Sequence, residues 1–576
     1  MKVTSKLLVN KYTRYWYLNF CSYIITAIHI HWKNEIMKKV SSSAIFRDFY
    51  TENYIYVDKT EAIYNLLSNN KKILISRPRR FGKSLLLDTI AVIFEKGVEP
   101  YFKDTWIYDK WDEKTYPVLR IDFLQFPKDD LSEFKRQFNL TVSEFAKRNN
   151  VTEYTEDKEP NVSLKNLLTC YENRDEQIVL LFDEYDCQLS ANINNTELYE
   201  KYRSFIQRIY AVLKGSRAIK FMAVTGVTRL KDASIFSVGS DIKDISNYSP
   251  YAQLIGFTRD EIRCFYIDYL KLAASFDNHC TVDDVTDAMV EKVLDRMATE
   301  YDGYCFDEKG KKKVFSTWSV NNFLQQMAAD KECYYGDYWY DNGGLPSILD
   351  NYYNSHKLTS LDYLCSNESI TVDYDVFMNP STLQSMDEHV LMCQTGYLTL
   401  KAPVSIYDDI SLGVPNEEIR RAMLIGLARY CFTRRPKLTK EEWEILKNGD
   451  VKDIVSLFDS IMNTIVYDNY EVDCEGAVRN SLYLYLSGAR VDVKAESHSS
   501  KGRADLIIET DNRRIVVELK HTDSEDKVQD LLNEAVCQIK ERDYGNIVPV
   551  KNELLRIGAV FNSEPKVRAF SFLKVD

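Results

Sequence analysis

The sequence predicts an α/β protein in three parts: a parallel sheet covered by helices, a mainly helical middle region, and a second α/β domain at the C-terminus. Three observations predict it. Residues 73–87 read ILISRPRRFGKSLLL, a short aliphatic run followed by an Arg- and Pro-rich turn and an apolar helical segment. Residues 178–186 read IVLLFDEYD, five apolar residues that end in Asp183 and Glu184. Residues 502–520 hold two apolar runs on either side of a turn at Asp511 and Asn512, with an acid on each run. At 576 residues the chain exceeds one ordinary core. The expected division is 1–36, 41–257, 258–430 and 431–576.

The first stretch has the strand, loop and helix order of a phosphate-binding loop. Free backbone N–H groups and the positive end of the helix dipole meet phosphate oxygens there. Lys83 reaches the terminal phosphates, and the Ser84 hydroxyl can hold Mg²⁺. The usual pattern is G-x-x-x-x-G-K-[ST], and its first glycine position is Arg77 here. The second stretch reads as a buried parallel strand that delivers two acids to the sheet edge, where nucleotides bind in open α/β sheets. Asp183 then serves the Mg²⁺ water shell and Glu184 orients the attacking water. The plainer reading is two acids that end a strand; the loop upstream favours nucleotide, with ATP and Mg²⁺ as the ligands. Arg77, Arg79 and Arg80 are either phosphate clamps or a basic surface. Their place inside the loop favours phosphate contact, which suits bidentate guanidinium geometry.

Composition excludes some classes. Hydrophobic content of 45% with 28% charged residues is that of a folded globular protein. A net charge of -12 excludes a protein basic throughout, although a local basic groove can still meet nucleic acid. The twelve cysteines include no C-x-x-C pair, which fits structural thiols in a reducing, cytoplasmic setting rather than a disulfide framework or zinc site.

Taken in order, residues 15–32 form an apolar and aromatic run of 18 residues, marginal for a membrane span. A signal anchor, an added amphipathic segment and upstream sequence from a mis-assigned start at Met1 all fit; Met37 favours the third. No second span follows, so a membrane partner is not expected. Residues 54–58 read as extended and 59–67 as an amphipathic helix. Residues 116–123 and 218–227 are further buried strands, and such strands separated by helical patterns favour a parallel sheet. Thr225 ends its strand where it can sense a γ-phosphate, and Arg229 can contact phosphate in cis or in trans. An ordinary strand-end or surface role fits both equally.

RPRRFGKSLLL, LFDEYD, TGVTRLKDASIFS and GFTRDEI resemble the AAA-ATPase-like domain of a bacterial family that also carries a PD-(D/E)XK nuclease-like C-terminus. The likeness runs from about residue 45 through Tyr301-Asp302-Gly303-Tyr304 to Tyr338-Trp339 and covers most of the chain. It implies a P-loop NTPase fold and makes Arg77 a family feature. It also implies that Arg77, Arg79, Arg80, Phe81, Gly82, Lys83 and Ser84 form the nucleotide loop.

Beyond Thr258 the pattern turns mainly helical. Residues 260–274, 285–297 and 417–433 carry helical apolar spacing. Residues 301–306 and 311–324 are expected to form a small lid or winged unit. Tyr301, Tyr304, Phe306 and Trp318 read as core and turn residues rather than base-stacking platforms, and residues 342–346 mark a loop.

The third stretch carries a second chemistry. Period-2 geometry puts Glu518 and Lys520 on one face of their strand, and a hairpin brings Asp505 close to them. Two acids and a lysine so placed can bind Mg²⁺ and set a water beside a phosphodiester, with Lys520 orienting that water or neutralising charge. Asp505, Glu518 and Lys520 match the PD-(D/E)XK pattern. That resemblance implies further roles for Glu475, as the acid completing the metal site, and for Gln538, with Tyr544 as the weaker half of a polar pair.

Two functional readings follow. In one, an ATP-hydrolysing module controls a Mg²⁺-dependent nuclease-like domain acting on nucleic acid, DNA in preference to RNA. In the other, nucleotide sets a switch or scaffold, and the C-terminal domain binds nucleic acid or a protein without cutting. A homo-oligomer is compatible with both.

Overall fold

The computed structural model describes residues 37–575 apart from 231–240, 342–346, 355–356, 359–360, 366–368, 381, 406, 500–501, 547–548 and 550. The expectations for residues 1–36 and 342–346, and the end of the TGVTRLKDASIFS stretch, lie outside the described residues.

Five strands form the first sheet: β1 (Lys72–Ser76), β2 (Val118–Asp122), β3 (Ile178–Asp183), β4 (Ile219–Gly226) and β5 (Lys243–Asp244). Every pairing is parallel and the order is β2-β3-β4-β1-β5. β1 and β3 are apolar through both faces because helices cover both sides. β4 therefore lies between β1 and β3, and the carboxyl ends of these three strands bring the phosphate loop, the two acids and Thr225 to one edge. Four of the strands match the apolar runs. The two-residue β5 has no such run to announce it.

The helix Lys83–Lys96 starts from Gly82, at φ +104°. A side chain there would meet no neighbour, so the need for glycine is one of backbone conformation alone. Residues 54–58 are not a strand; only an isolated bridge joins Tyr54 to Lys39. The helix that follows spans Thr60–Asn69.

The middle region begins with helices Arg259–Phe265, Ile267–Asp277, Asp287–Tyr301 and Thr317–Asp330, which share a hydrophobic cluster with Val40, Ile55 and Val57. The helix expected over 260–274 is broken at Tyr266, whose hydroxyl donates to Asn321 Oδ1 at 2.8 Å. A hairpin of β6 (Tyr304–Cys305) and β7 (Lys313–Val314) lies in sequence between the last two of these helices and joins the main hydrophobic core. Tyr301, Tyr304 and Phe306 are buried and Trp318 is half-buried. A small antiparallel sheet of β8 (Ile370–Val372), β9 (Thr399–Leu400) and β10 (Ile410–Gly413) was not foreseen from the helical pattern. Helix Glu417–Cys431 closes the region.

The C-terminal sheet has the order β11 (Asp492–Ser499), β12 (Gly502–Glu509), β13 (Arg513–Thr522), β14 (Glu553–Asn562) and β15 (Ala569–Val575). Only β13 with β14 is parallel. Alternation sorts its faces. Leu506, Ile508, Ile515, Val517 and Leu519 join the main core with Leu482 and Tyr485 of helix Glu475–Gly488. Ile507 and Val516 pack with Ile539 of helix Val528–Arg542 on the other face. The main hydrophobic cluster runs unbroken from Phe46 through β1 and β3 to Phe570. Among the described residues, no helix is long and apolar enough to cross a membrane.

Candidate functional site

At the carboxyl edge of the parallel sheet, the loop and the acids meet. Lys83 Nζ lies 3.0 Å from Glu184 Oε1 and donates to the carbonyls of Arg77 and Pro78 at 3.0 and 3.2 Å. Ser84 Oγ donates to Asp183 Oδ2 at 2.6 Å, and the Thr225 hydroxyl donates to Oδ1 of the same carboxylate. Asp183 thus gathers one hydroxyl from the loop and one from β4. Glu184 sits in the left-handed backbone region, at φ +51°, which turns its carboxylate back towards Lys83. Burial raises its pKa, and Lys83 opposes that rise. A 250 Å³ cavity opens beside Lys83, Ser84 and Glu184. Its far walls are the apolar segment at Ile55 and Val57 and the helical region at Tyr266 and Trp318.

Asp186 completes this edge and carried no assignment from the sequence. Its buried carboxylate accepts from the Val227 and Thr228 amides at 3.2 and 2.7 Å and from the Thr228 hydroxyl at 2.5 Å. It pins the turn after β4. Gly226 leaves it room, because a side chain there would meet Asp186 Oδ1 at 2.6 Å. The second Asp of the DEYD run is its only sequence signal.

In the C-terminal sheet, β12 and β13 pair as far as Leu506 with Val517. One step further places Asp505 opposite Glu518, and Asp505 Oδ2 accepts from the Leu519 amide at 2.8 Å. Lys520 Nζ lies 3.2 Å from Glu475 Oε2 and 3.6 Å from Glu518 Oε1. Burial pushes the Asp505 carboxyl up to about 6, helped by the Glu475 charge and opposed by the Leu519 amide and Lys520. Burial and the Asp505 charge push Glu518 up to about 8. Burial works against the Lys520 ammonium, but Glu475, Glu518 and Asp505 outweigh it and raise its pKa.

Glu518 faces helix Val528–Arg542. Its neighbour across the β13–β14 ladder is Gly558, where a side chain would meet Ala535 Cβ at 3.3 Å. Gln538 lies one turn further along that helix, and its Oε1 is buried with no hydrogen-bond partner. Glu518 Oε2 is also buried and unpaired. Tyr544 is not delivered to the acids: it packs with Ile507, Val516 and Ile539, and Arg542 donates to its hydroxyl at 2.8 Å.

Residues 42–236 match the AAA-ATPase-like family, described as "Predicted AAA-ATPase". Residues 473–570 match the family described as "PD-(D/E)XK nuclease superfamily". The chain joins an AAA-ATPase-like domain to a PD-(D/E)XK nuclease superfamily domain. It is also 24% identical over 531 residues to the "Uncharacterized protein in vnfD 5'region" of Azotobacter chroococcum mcd 1, covering 89% of this chain and 94% of that one. The crystal structure of Cdc6p from Pyrobaculum aerophilum matches 73% of this chain and 92% of its own at 12% identity. Its TM-score of 0.24 is too low to bear on fold or function.

Within the ATPase-like domain, three of the residues expected at nucleotide stand elsewhere. Arg77 is 1% exposed, stacks on the Phe306 ring at 4.2 Å and donates to the carbonyls of Ser76 and Ser246 at 2.8 and 2.5 Å. It lies behind the loop because its peptide is fixed there by a bond from its amide to the Gly226 carbonyl at 3.1 Å. Arg229 is buried beside it, 3.5 Å from Asp244 and bonded to the Met378 carbonyl at 3.2 Å. The Phe81 ring is buried edge-on among Tyr304, Phe306 and Trp339. Arg79 is exposed and shares a cleft with Arg80 and Glu184.

Arg80 links the loop to the rest of the chain. It donates to the Trp339 carbonyl at 3.0 Å, and its own carbonyl accepts from the Thr317 hydroxyl at 3.0 Å. The Trp339 amide donates to buried Glu418 at 2.8 Å, as does Ser319 Oγ at 2.7 Å. Glu418 opens helix Glu417–Cys431, and Ala428 of that helix faces Gly488 of helix Glu475–Gly488. The first residue of that second helix is Glu475, at the nuclease-fold acids. Arg479, one turn on, pairs with Asp362 of the middle region at 2.9 Å and with Glu496 of β11 at 2.7 Å.

Both clusters suit Mg²⁺ by donor type. The ion takes one or two carboxylates and keeps waters or phosphate oxygens for the rest. Each cluster offers hard oxygen donors, and the orphaned Glu518 oxygen beside a second acid is what a cation would relieve. Among the described residues, no three His, Cys, Asp or Glu side chains already form a metal-binding group.

Proposed function

We propose that the ATPase-like domain binds and hydrolyses ATP and thereby controls a Mg²⁺-dependent nuclease-like domain that acts on nucleic acid, DNA in preference to RNA. The observation that carries the reading is the convergence of Lys520 with Glu475, Glu518 and Asp505 in a chain where Lys83, Ser84 and Asp183 converge in the same way.

At the first site Lys83 exchanges Glu184 for the β- and γ-phosphates, which releases Glu184 to orient a water. Thr225 holds Asp183 in place, and Arg79 and Arg80 line a cleft with Glu184 from which they can reach phosphate. At the second site Lys520 orients the attacking water and offsets charge gathering on the phosphodiester. Glu475 keeps Lys520 aligned, and Gln538 offers a side-chain amide on the same face. Where Mg²⁺ binds, Ser84 and Asp183 would hold it in the first site and Asp505 and Glu518 in the second, and it would supply phosphate charge neutralisation and a more acidic water.

The contacts from Arg80 through Trp339 to Glu418, on a helix packed against the one bearing Glu475, support coupling between the two sites. Purified protein should cleave labelled DNA with Mg²⁺, faster with ATP than without, and Lys520→Ala should abolish cleavage. A second reading is a nucleotide-dependent switch that binds nucleic acid or protein without cutting. The Lys520 ammonium favours it, because it already lies 3.2 Å from Glu475 and 3.6 Å from Glu518 and so offsets their charge without a metal. Under that reading Lys83→Ala changes partner binding, and Lys520→Ala changes nothing.

A further inference from the structure

Behind the phosphate loop lies a cavity of 30 Å³ that neither catalytic cluster uses. Arg77, Arg229, Ser246, Phe306, Cys393 and Gln394 line it. It therefore sits where the base of the loop meets the middle region.

Its charge does not balance. Arg77 and Arg229 are 1% and 4% exposed, and buried cations are ordinarily paired. Asp244 stands 3.5 Å from Arg229 Nε and is the one carboxylate acting on Arg77. Among the described residues, two guanidiniums against one carboxylate leave one positive charge. The thiols cannot supply the missing anion, since burial raises the pKa of Cys305 and pushes that of Cys393 up to about 12.

The hydrogen bonding of Arg77 is also incomplete. Its NH1 group serves two carbonyls, whereas Nε and NH2 are buried with no partner. The Phe306 ring covers the flat face of the guanidinium and leaves that N–H edge unmet. Two adjacent N–H donors on one guanidinium edge form the geometry that grips an anion. A cavity needs about 10–15 Å³ to admit a water, so this one admits one small ion and excludes a nucleotide.

We propose that this cavity binds a small inorganic anion of chloride size, held by Arg77 with Arg229, and that the anion ties the phosphate loop to the middle region. The site gives both arginines a ligand that is not the nucleotide, and it stands whether or not the chain hydrolyses ATP.

The test is thermal unfolding of the full chain in sodium chloride, sodium phosphate and sodium gluconate at equal ionic strength, gluconate being too large to enter. Chloride should raise Tm by about 2–4 °C over gluconate, and Arg77→Gln should erase the difference. Crystals of the unaltered protein grown with bromide should show an anomalous peak in the cavity, which decides the matter if Arg77→Gln does not fold. Equal Tm values in chloride and gluconate, a shift with phosphate alone, or a cavity holding only water beside bromide would each overturn the proposal.

Discussion

Lys83 and Glu184 form a buried ion pair, with Nζ 3.0 Å from Oε1. The residue expected to bind phosphate and the residue expected to direct water are thus each other's partner. Breaking a buried pair from one side leaves an uncompensated charge. Lys83→Ala should destabilise the protein by about 3 kcal/mol, and adding Glu184→Gln should restore part of that loss. Urea unfolding of the two single variants and the double variant measures this; additive effects would show that the pair carries no coupling.

The same pair makes a functional prediction. Glu184→Gln should keep ATP binding and lose hydrolysis by roughly 100-fold or more, whereas Lys83→Ala should lose both. Nucleotide titration by fluorescence, alongside phosphate release, separates the two outcomes.

Glu418 predicts a pH dependence of stability. Burial pushes its carboxyl up to about 8, against bonds from Ser319 and the Trp339 amide. In the unfolded chain it titrates near 4.5. Between these values the folded state holds a proton that the unfolded state has released, so its contribution is full below pH 4.5 and falls as pH rises towards 8. The loss is about 1.4 kcal/mol for each pH unit crossed. Glu418→Gln should flatten this slope and be the more stable protein at pH 8.5, as denaturant unfolding at pH 5 and 8.5 would show.

The nuclease-fold acids predict a pH dependence of metal use. Asp505 and Glu518, pushed up to about 6 and about 8, must lose protons to bind a cation. The Mg²⁺ concentration for half-maximal cleavage should therefore fall as pH rises from 6 to 8.5. Glu518→Gln should abolish cleavage, and its Mg²⁺ binding, followed by calorimetry, should lose the upper part of that pH dependence.

Gly226→Ala should destabilise the protein by about 1–3 kcal/mol, because the added methyl meets Asp186 Oδ1 at 2.6 Å and the Tyr185 ring at 2.7 Å. The turn after β4 would shift, and with it Thr225 and its bond to Asp183. Calorimetry gives the stability change.

What the sequence made legible was local. Apolar runs announced β1 to β4, and the hairpin at residues 502–520 placed Asp505 by Glu518, because strand periodicity and turn residues act over a few positions. Strand order was not legible: nothing in residues 219–226 says that β4 inserts between β1 and β3. Position in the loop was a poor guide to direction. Arg77, Phe81 and Arg229 sit in or near the right motif, yet the backbone aims them into the protein, where Phe306 and Met378 from distant parts of the chain receive them. Asp186 has no local signal beyond the DEYD run, because its partners, the amides after Gly226, lie about forty residues downstream.

The insertion of β4 has a consequence for synthesis. A ribosome releases β1, its loop and β3 before β4, yet β1 and β3 are not neighbours in the sheet and each pairs with β4. The sheet that sets the loop lysine beside the strand acids is therefore complete only once residue 226 has emerged. Under the proposed function nucleotide capture then comes late, and a chain stalled short of that strand carries the motif without the sheet that positions it.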